Sequence, residues 1–184
     1  MLKAFGITLL AATTSAAHPA RTGLVLTSTD VHVGRTMSVA QVYDQFGCTG
    51  KNESPSLQWR GAPARTKSFA VTLYDPDAPT GSGWWHWVVY DLPANANRLA
   101  TGAGKADGSG LPAGAVQGTT DFGTRGYGGP CPPKGDKPHR YVFTLYALDT
   151  DKIEVPANAT AAMVGFNLHA HQLAKATLVA RYGR

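Results

Sequence analysis

Three short segments of this chain gather side chains able to do chemistry. The first is Tyr74-Asp75-Pro76-Asp77-Ala78-Pro79. Carboxylates two positions apart on extended backbone face the same way, and the prolines stiffen the turn that aims them. The second is Gly83-Trp84-Trp85-His86-Trp87, an imidazole among indoles. The third runs Gly126-Tyr127-Gly128-Gly129-Pro130-Cys131-Pro132-Pro133 and is followed by His139-Arg140-Tyr141. Acid, imidazole and phenol together suit either the binding of a small anion or acid–base work on a phosphoester, with or without a divalent metal.

Each segment also has a plain structural reading: a turn between strands, a hydrogen-bonded histidine, tryptophans in a core. What points to a site is their coincidence. All three fall at the ends of predicted strands, on stiff Gly/Pro loops, where rigid scaffolds carry binding groups. The sequence holds no G-x-S-x-G nucleophile elbow and no CxxC,. His169 and His171 are two apart on a predicted helix and would point to different sides, so they form no chelating pair.

The elements that must position these groups are mostly strands. Gly23–Ser28 reads as a first strand, Val31–Val42 as one or two short ones broken at Gly34, and 57–59 as extended. Ser68–Tyr74 and His86–Leu92 alternate and are rich in β-formers,. Asn95–Gly114 reads as a long loop, Ala115–Thr119 as a short strand, and Asp121–Pro138 as a loop. Tyr141–Leu148 is apolar enough for a central strand. A helix is predicted within 158–174, capped by Asn158, and Lys175–Tyr182 returns to strand alternation. There is no internal repeat, and 184 residues with 21 Gly and 12 Pro fit a single, turn-rich, mostly-β domain,.

Hydrophobic residues at 43% and charged residues at 16% exclude a disordered chain,. The net charge of +5 comes without any basic run or stripe, so nucleic acid is not expected as a partner, while peripheral contact with an anionic membrane stays open. Lys3, the apolar Ala4–Ala12 and the small residues before His18 form a secretory signal pattern,. Cleavage is expected after Ala17, leaving a domain over 18–184 and a periplasmic or secreted protein. The two cysteines, Cys48 and Cys131, would be free thiols in a reducing compartment. After export they are expected to form one disulfide.

DPDAP, the Trp and His-Trp that follow it, GYGGPCPP and HRYVFTLYAL together resemble the phosphatidylethanolamine-binding proteins, in particular the bacterial branch called Raf-kinase-inhibitor-like. The resemblance extends from about Leu24 to Tyr182 and includes Asn52-x-Ser54-Pro55-x-Leu57-x-Trp59. It implies a large antiparallel sheet packed on a smaller sheet, with a C-terminal helix closing one end of a pocket. It also implies a non-enzymatic binding protein without a cofactor, whose pocket takes phosphate or a phosphoethanolamine headgroup and which modulates a partner protein. The pocket residues it implies are Asp75, Asp77, Ala78, Trp84, His86, Gly129, Cys131, His139 and Tyr141. Cys131 stands where a glycine is usual in eukaryotic members, which narrows the pocket.

Two aspartates beside an anion would repel it. Their expected role is therefore to accept hydrogen bonds from His86 and His139 and turn each ring's other N–H toward the ligand. Tyr141 would add a hydroxyl donor and Gly129 a backbone N–H. On this reading affinity rises as pH falls toward an ordinary histidine pKa of about 6.5. The alternative is a phosphoester hydrolase or metal-dependent enzyme built on the same cluster.

Overall fold

A computed structural model describes residues 23–184; the expected signal segment lies outside the described residues. The chain forms β1 (Val25–Thr27), β2 (Leu57–Arg60), β3 (Ser68–Asp75), β4 (Trp84–Pro93), β5 (Arg98–Leu99), β6 (Val116–Gln117), β7 (His139–Leu148), α1 (Ala161–Ala170) and β8 (Gln172–Tyr182). Five strands make a large sheet in the order β6-β4-β3-β7-β8, and three make a small one, β1-β2-β5. Every strand pairing is antiparallel.

Strand alternation divides the large sheet's side chains between two cores. Phe69, Val71 and Leu73 of β3, Trp87 and Val89 of β4, and Tyr141, Phe143 and Leu145 of β7 pack in one cluster with Leu26, Leu57, Trp59 and Leu99 of the small sheet. The other face carries Ala70 and Val88, which pack with Ile153 and with Ala161, Val164 and Leu168 of α1. β3 is covered on both faces, which is why Ser68–Tyr74 reads as almost continuously apolar,. It is the middle strand of the five, and β7 lies beside it.

Five local expectations need correction: Asn95–Gly114, expected as loop throughout, contains β5, which pairs with β2, and four others follow. Val31–Val42 forms bends and turns rather than a strand. Gly34 takes a positive φ of 71°, and the segment instead lies along β8, with Gly34 N–H donating to the Val179 carbonyl and Met37 N–H to that of Arg181. The helix begins at Ala161, capped by Thr160, whose side chain accepts from the Met163 N–H. Asn158 sits inside the preceding turn, which is closed by Ala159 N–H and the Pro156 carbonyl. The helix ends at Ala170, and Leu173 belongs to β8, whose pairing with β7 starts at Gln172. Finally, α1 lies against the sheet face opposite the small sheet and contributes nothing to the cavity described below.

Candidate functional site

The site begins with a defect in the β3–β4 ladder. Leu73 pairs with Trp87, but Tyr74 pairs with Trp85 and Asp75 with Trp84. His86 is the extra residue of a β-bulge. Bulges re-aim side chains near functional sites, and here the bulge restores the register so that Asp75 and Trp84 share a face. Tyr74 and Trp85 turn to the other face, with ring centroids 4.6 Å apart. The His86 ring stands edge-on to Tyr141 of β7 at 5.2 Å and to Phe122 at 5.3 Å.

The loop after β3 is held by its own polar groups. Asp75 Oδ1 accepts the Asp77 N–H at 2.8 Å, and Tyr74 donates to the Ser82 carbonyl at 2.7 Å. Gly83 has a φ of 68°, and a side chain there would meet the Tyr74 hydroxyl. The Gly126–Pro133 loop is fastened to β4 by a reciprocal pair: Gly128 N–H donates to the His86 carbonyl at 2.9 Å, and His86 Nδ1 lies 2.7 Å from the Gly128 carbonyl. Asn52 holds the same loop from the far side, accepting from Gly129 N–H at 2.8 Å and donating to the Tyr127 carbonyl at 3.2 Å. A Cβ on Gly129 would collide with the backbone of Gln41. Cys48 and Cys131 are bonded, with Cα atoms 6.0 Å apart, which ties the rim to the loop carrying Phe46.

These elements enclose a cavity of about 160 Å³. Of the residues implicated by the sequence, Asp75, Ala78, Trp84, His86, Cys131, His139 and Tyr141 line it, joined by Phe46, Phe122 and prolines 79, 132 and 133. Asp77 and Gly129 do not. Asp77 points to an outer cleft and grips Arg140, with Oδ1 2.6 Å from one terminal nitrogen and Oδ2 2.8 Å from the backbone N–H. Gly129 spends its N–H on Asn52. Phe46 and Phe122 carry no motif that could have marked them: each is a single aromatic residue in a loop, brought to the rim by tertiary packing.

The expected pairing of aspartates with imidazoles holds once. Asp75 Oδ2 lies 2.7 Å from His139 Nδ1, and the ring's Nε2 is 3.4 Å from Asp136 rather than free. His86 pairs with a carbonyl in place of a carboxylate. A carbonyl oxygen can only accept, so Nδ1 carries the hydrogen, and in the neutral ring Nε2 is a lone pair. Burial drives the His86 pKa down to about 4, against the smaller opposing pull of the Gly128 carbonyl and the Asp75 charge. The ring is therefore neutral across the physiological range, which replaces the expected titration near 6.5. Burial, and then the negative charge of Asp75, hold the Tyr141 phenol far above its ordinary range, so it remains a donor. Hydrogen bonds from Arg140 bring Asp77 down to about 2. The Tyr141 hydroxyl and the Trp84 indole N–H are both buried and make no hydrogen bond of good geometry to the described residues, although the Asp75 carboxylate lies close enough to the Tyr141 hydroxyl to add a hydrogen-bonding pull to the rise in its pKa.

A small cavity at the strand ends of a two-sheet β fold, walled by aromatics and a few fixed polar groups, has the form of a ligand pocket. The phosphatidylethanolamine-binding protein family model matches residues 27–183, and the chain belongs to that family. Among its relatives, YbcL of Escherichia coli is 54% identical over 157 residues, 85% of this chain and 86% of that protein. YbhB of the same organism is 51% identical over 160 residues, covering 85% of this chain and 98% of that one. The crystal structure of Escherichia coli YbcL, described as a member of the mammalian family, superposes with a TM-score of 0.86 at 52% identity, covering 88% of this chain and 98% of that chain. The homologue CT736 of Chlamydia trachomatis gives 0.73 at 31% identity, covering 89% and 99%.

Proposed function

We propose that this is a non-enzymatic binding protein whose cavity takes a small anion such as phosphate or the phosphate end of a phosphoethanolamine headgroup. The observation that carries the reading is the pair of buried donors, the Tyr141 hydroxyl and the Trp84 indole N–H, in the wall of a cavity that also receives the His86 ring. Buried donors left without partners cost free energy, and an oxyanion would supply acceptors to both. The mostly apolar wall would exclude water and strengthen those bonds. The family's name supports a phosphate-bearing ligand. The alternative of a phosphoester hydrolase or metal enzyme has no specific observation in its favour. Among the described residues no group of three or more His, Cys, Asp or Glu is placed to hold a metal ion.

The protein acts after export on this reading. Residues Met1–Ala17 are removed as a signal, and the mature chain is periplasmic or secreted, a setting in which a Cys48–Cys131 disulfide persists,. Any partner protein it modulates is then met outside the cytoplasm.

Titration of labelled protein with phosphorylethanolamine, followed in ¹H–¹⁵N spectra, tests the proposal. The Trp84 indole N–H and the amides flanking His86 and Gly128 should shift together and saturate. Shifts confined to other surfaces would refute the cavity as the site.

A further inference from the structure

The large sheet is covered on one face by the small sheet, and only in part on the other. There α1 packs with Ala70, Val88 and Leu148 and borders Trp85, since a Cβ on Gly165 would stand 3.8 Å from the indole. Beyond that border the register sets Trp85, Tyr74, Val142 and Val179 side by side across β4, β3, β7 and β8. All four are half-buried, and Tyr74, Val142 and Val179 join none of the hydrophobic clusters. We propose that this stripe docks an acidic amphipathic helix of a partner protein. The proposal rests on the reading above only for the existence of a partner. It does not involve the anion cavity, whose Asp75, Trp84 and Tyr141 belong to the opposite face of the sheet,.

Charge around the stripe states what the partner must carry. Arg140 and Arg181 are direct cross-strand partners, two residues beyond Val142 and Val179 on the same face,. Like charges directly opposite one another destabilise a sheet. Asp77 holds Arg140 and Asp136 turns to His139. Arg181 and Lys137, which line the outer cleft of about 630 Å³ beside the stripe, form no ion pair among the described residues, nor does Lys175 further along β8. An apolar, aromatic centre with arginines at its margin is the anatomy of a protein interface. Carboxylates from a partner would relieve the repulsion that the free protein carries.

The shape of the stripe favours a helix. Four adjacent strands spaced by about 4.8 Å make it about 14 Å long, which matches about ten residues of α-helix. α1, itself 10 residues long, already lies on the neighbouring half of the same face. Helices dock in this way by an apolar face laid into a groove. A second copy does not supply the occupant through α1, whose sequence AAMVGFNLHA carries no carboxylate. Residues 1–22 of this chain do not supply it either, having no Asp or Glu. A bilayer is a poorer fit, because half-buried side chains on a sheet face do not reach into the acyl region.

A ¹H–¹⁵N titration tests this with a synthetic helical peptide of about 14 residues, leucines along one face and glutamates in its terminal turns, and with its lysine-for-glutamate counterpart. The acidic peptide should shift the Trp85 indole signal and the amides of Tyr74, Val142 and Val179, saturating below about 1 mM. The basic peptide should bind at least about 10-fold more weakly. Arg181→Gln and Val179→Thr should each weaken the acidic peptide about 5-fold with no fall in melting temperature, a combination that a merely structural role would not give. No shift on the stripe up to that concentration, equal binding of the two peptides, or unchanged affinity in both variants would overturn the proposal. So would self-association of the free protein through the stripe, or phosphatidylglycerol vesicles shifting these signals where the acidic peptide does not. Phosphate titration of the same samples reports on the cavity separately: its failure would refute the anion pocket and leave this surface standing.

Discussion

His86 Nδ1 and the Gly128 carbonyl oxygen lie 2.7 Å apart, joined across 42 positions of sequence. This bond locks together the β4 bulge and the Gly-rich loop, and it assigns the tautomer of a ring whose pKa falls to about 4.

Stability should fall as acid is added. His86 in the native state binds its proton near pH 4, against about 6.5 in the unfolded chain,. Between those values the unfolded state holds more protons, so stability rises with pH in that window and is lost as pH drops through it. The loss should reach about 3 kcal/mol by pH 4. Urea unfolding from pH 7 to 4 checks it: the decline should be clearly shallower in His86→Gln. Equal pH dependence in both proteins would contradict the assignment.

The two aspartates of the first motif should behave differently. Asp75→Asn removes the charge facing His139 Nδ1 and should weaken phosphate binding roughly 10-fold by loosening the wall, by analogy with outer partners in metal sites. Asp77→Asn lies outside the cavity. It should leave affinity within about twofold and cost about 1 kcal/mol of stability, as expected for a half-exposed ion pair with Arg140,. Parallel calorimetry and denaturant melts separate the two effects, and equal losses of affinity would put Asp77 back in the site.

Much of this was legible in the sequence. Strands β3, β4 and β7 announce themselves because apolar, β-branched and aromatic residues fill both of their faces. The cavity follows from their adjacency, so seven of the nine implicated residues meet there. What stayed hidden depends on register and long-range backbone bonds. No local pattern marks His86 as a bulge residue, and parity alone gives it the opposite face from Trp87. Nothing in Gly128-Gly129 reveals that one carbonyl is taken by a histidine and the neighbouring N–H by Asn52. The pair Asp77–Arg140 was equally invisible, since a carboxylate near two imidazoles and one guanidinium gives no hint of which it will choose.

The disulfide should matter for both stability and binding. It closes a loop between positions 83 apart and should contribute about 2–4 kcal/mol. Because Cys131 lines the cavity and Cys48 lies two residues from Phe46, Cys48→Ser/Cys131→Ser should also weaken phosphate binding. Thermal melts and calorimetry on the oxidised and double-serine proteins check this. Unchanged melting would show that the bond carries no such role.

N-terminal sequencing of the native protein should begin at His18. A chain that retains Met1 or Leu2 would contradict export and the periplasmic or secreted setting proposed for it.

The central claim is that the cavity around His86 and Tyr141 is a phosphate site. The most direct measurement is isothermal calorimetry of phosphate against wild-type protein, His86→Ala and Tyr141→Phe, each shown to be folded by its ¹H–¹⁵N spectrum. Tyr141→Phe deletes one buried donor and keeps the ring, and should weaken binding by about 10- to 100-fold; His86→Ala should weaken it at least as much. Wild-type affinity in both variants would contradict the account.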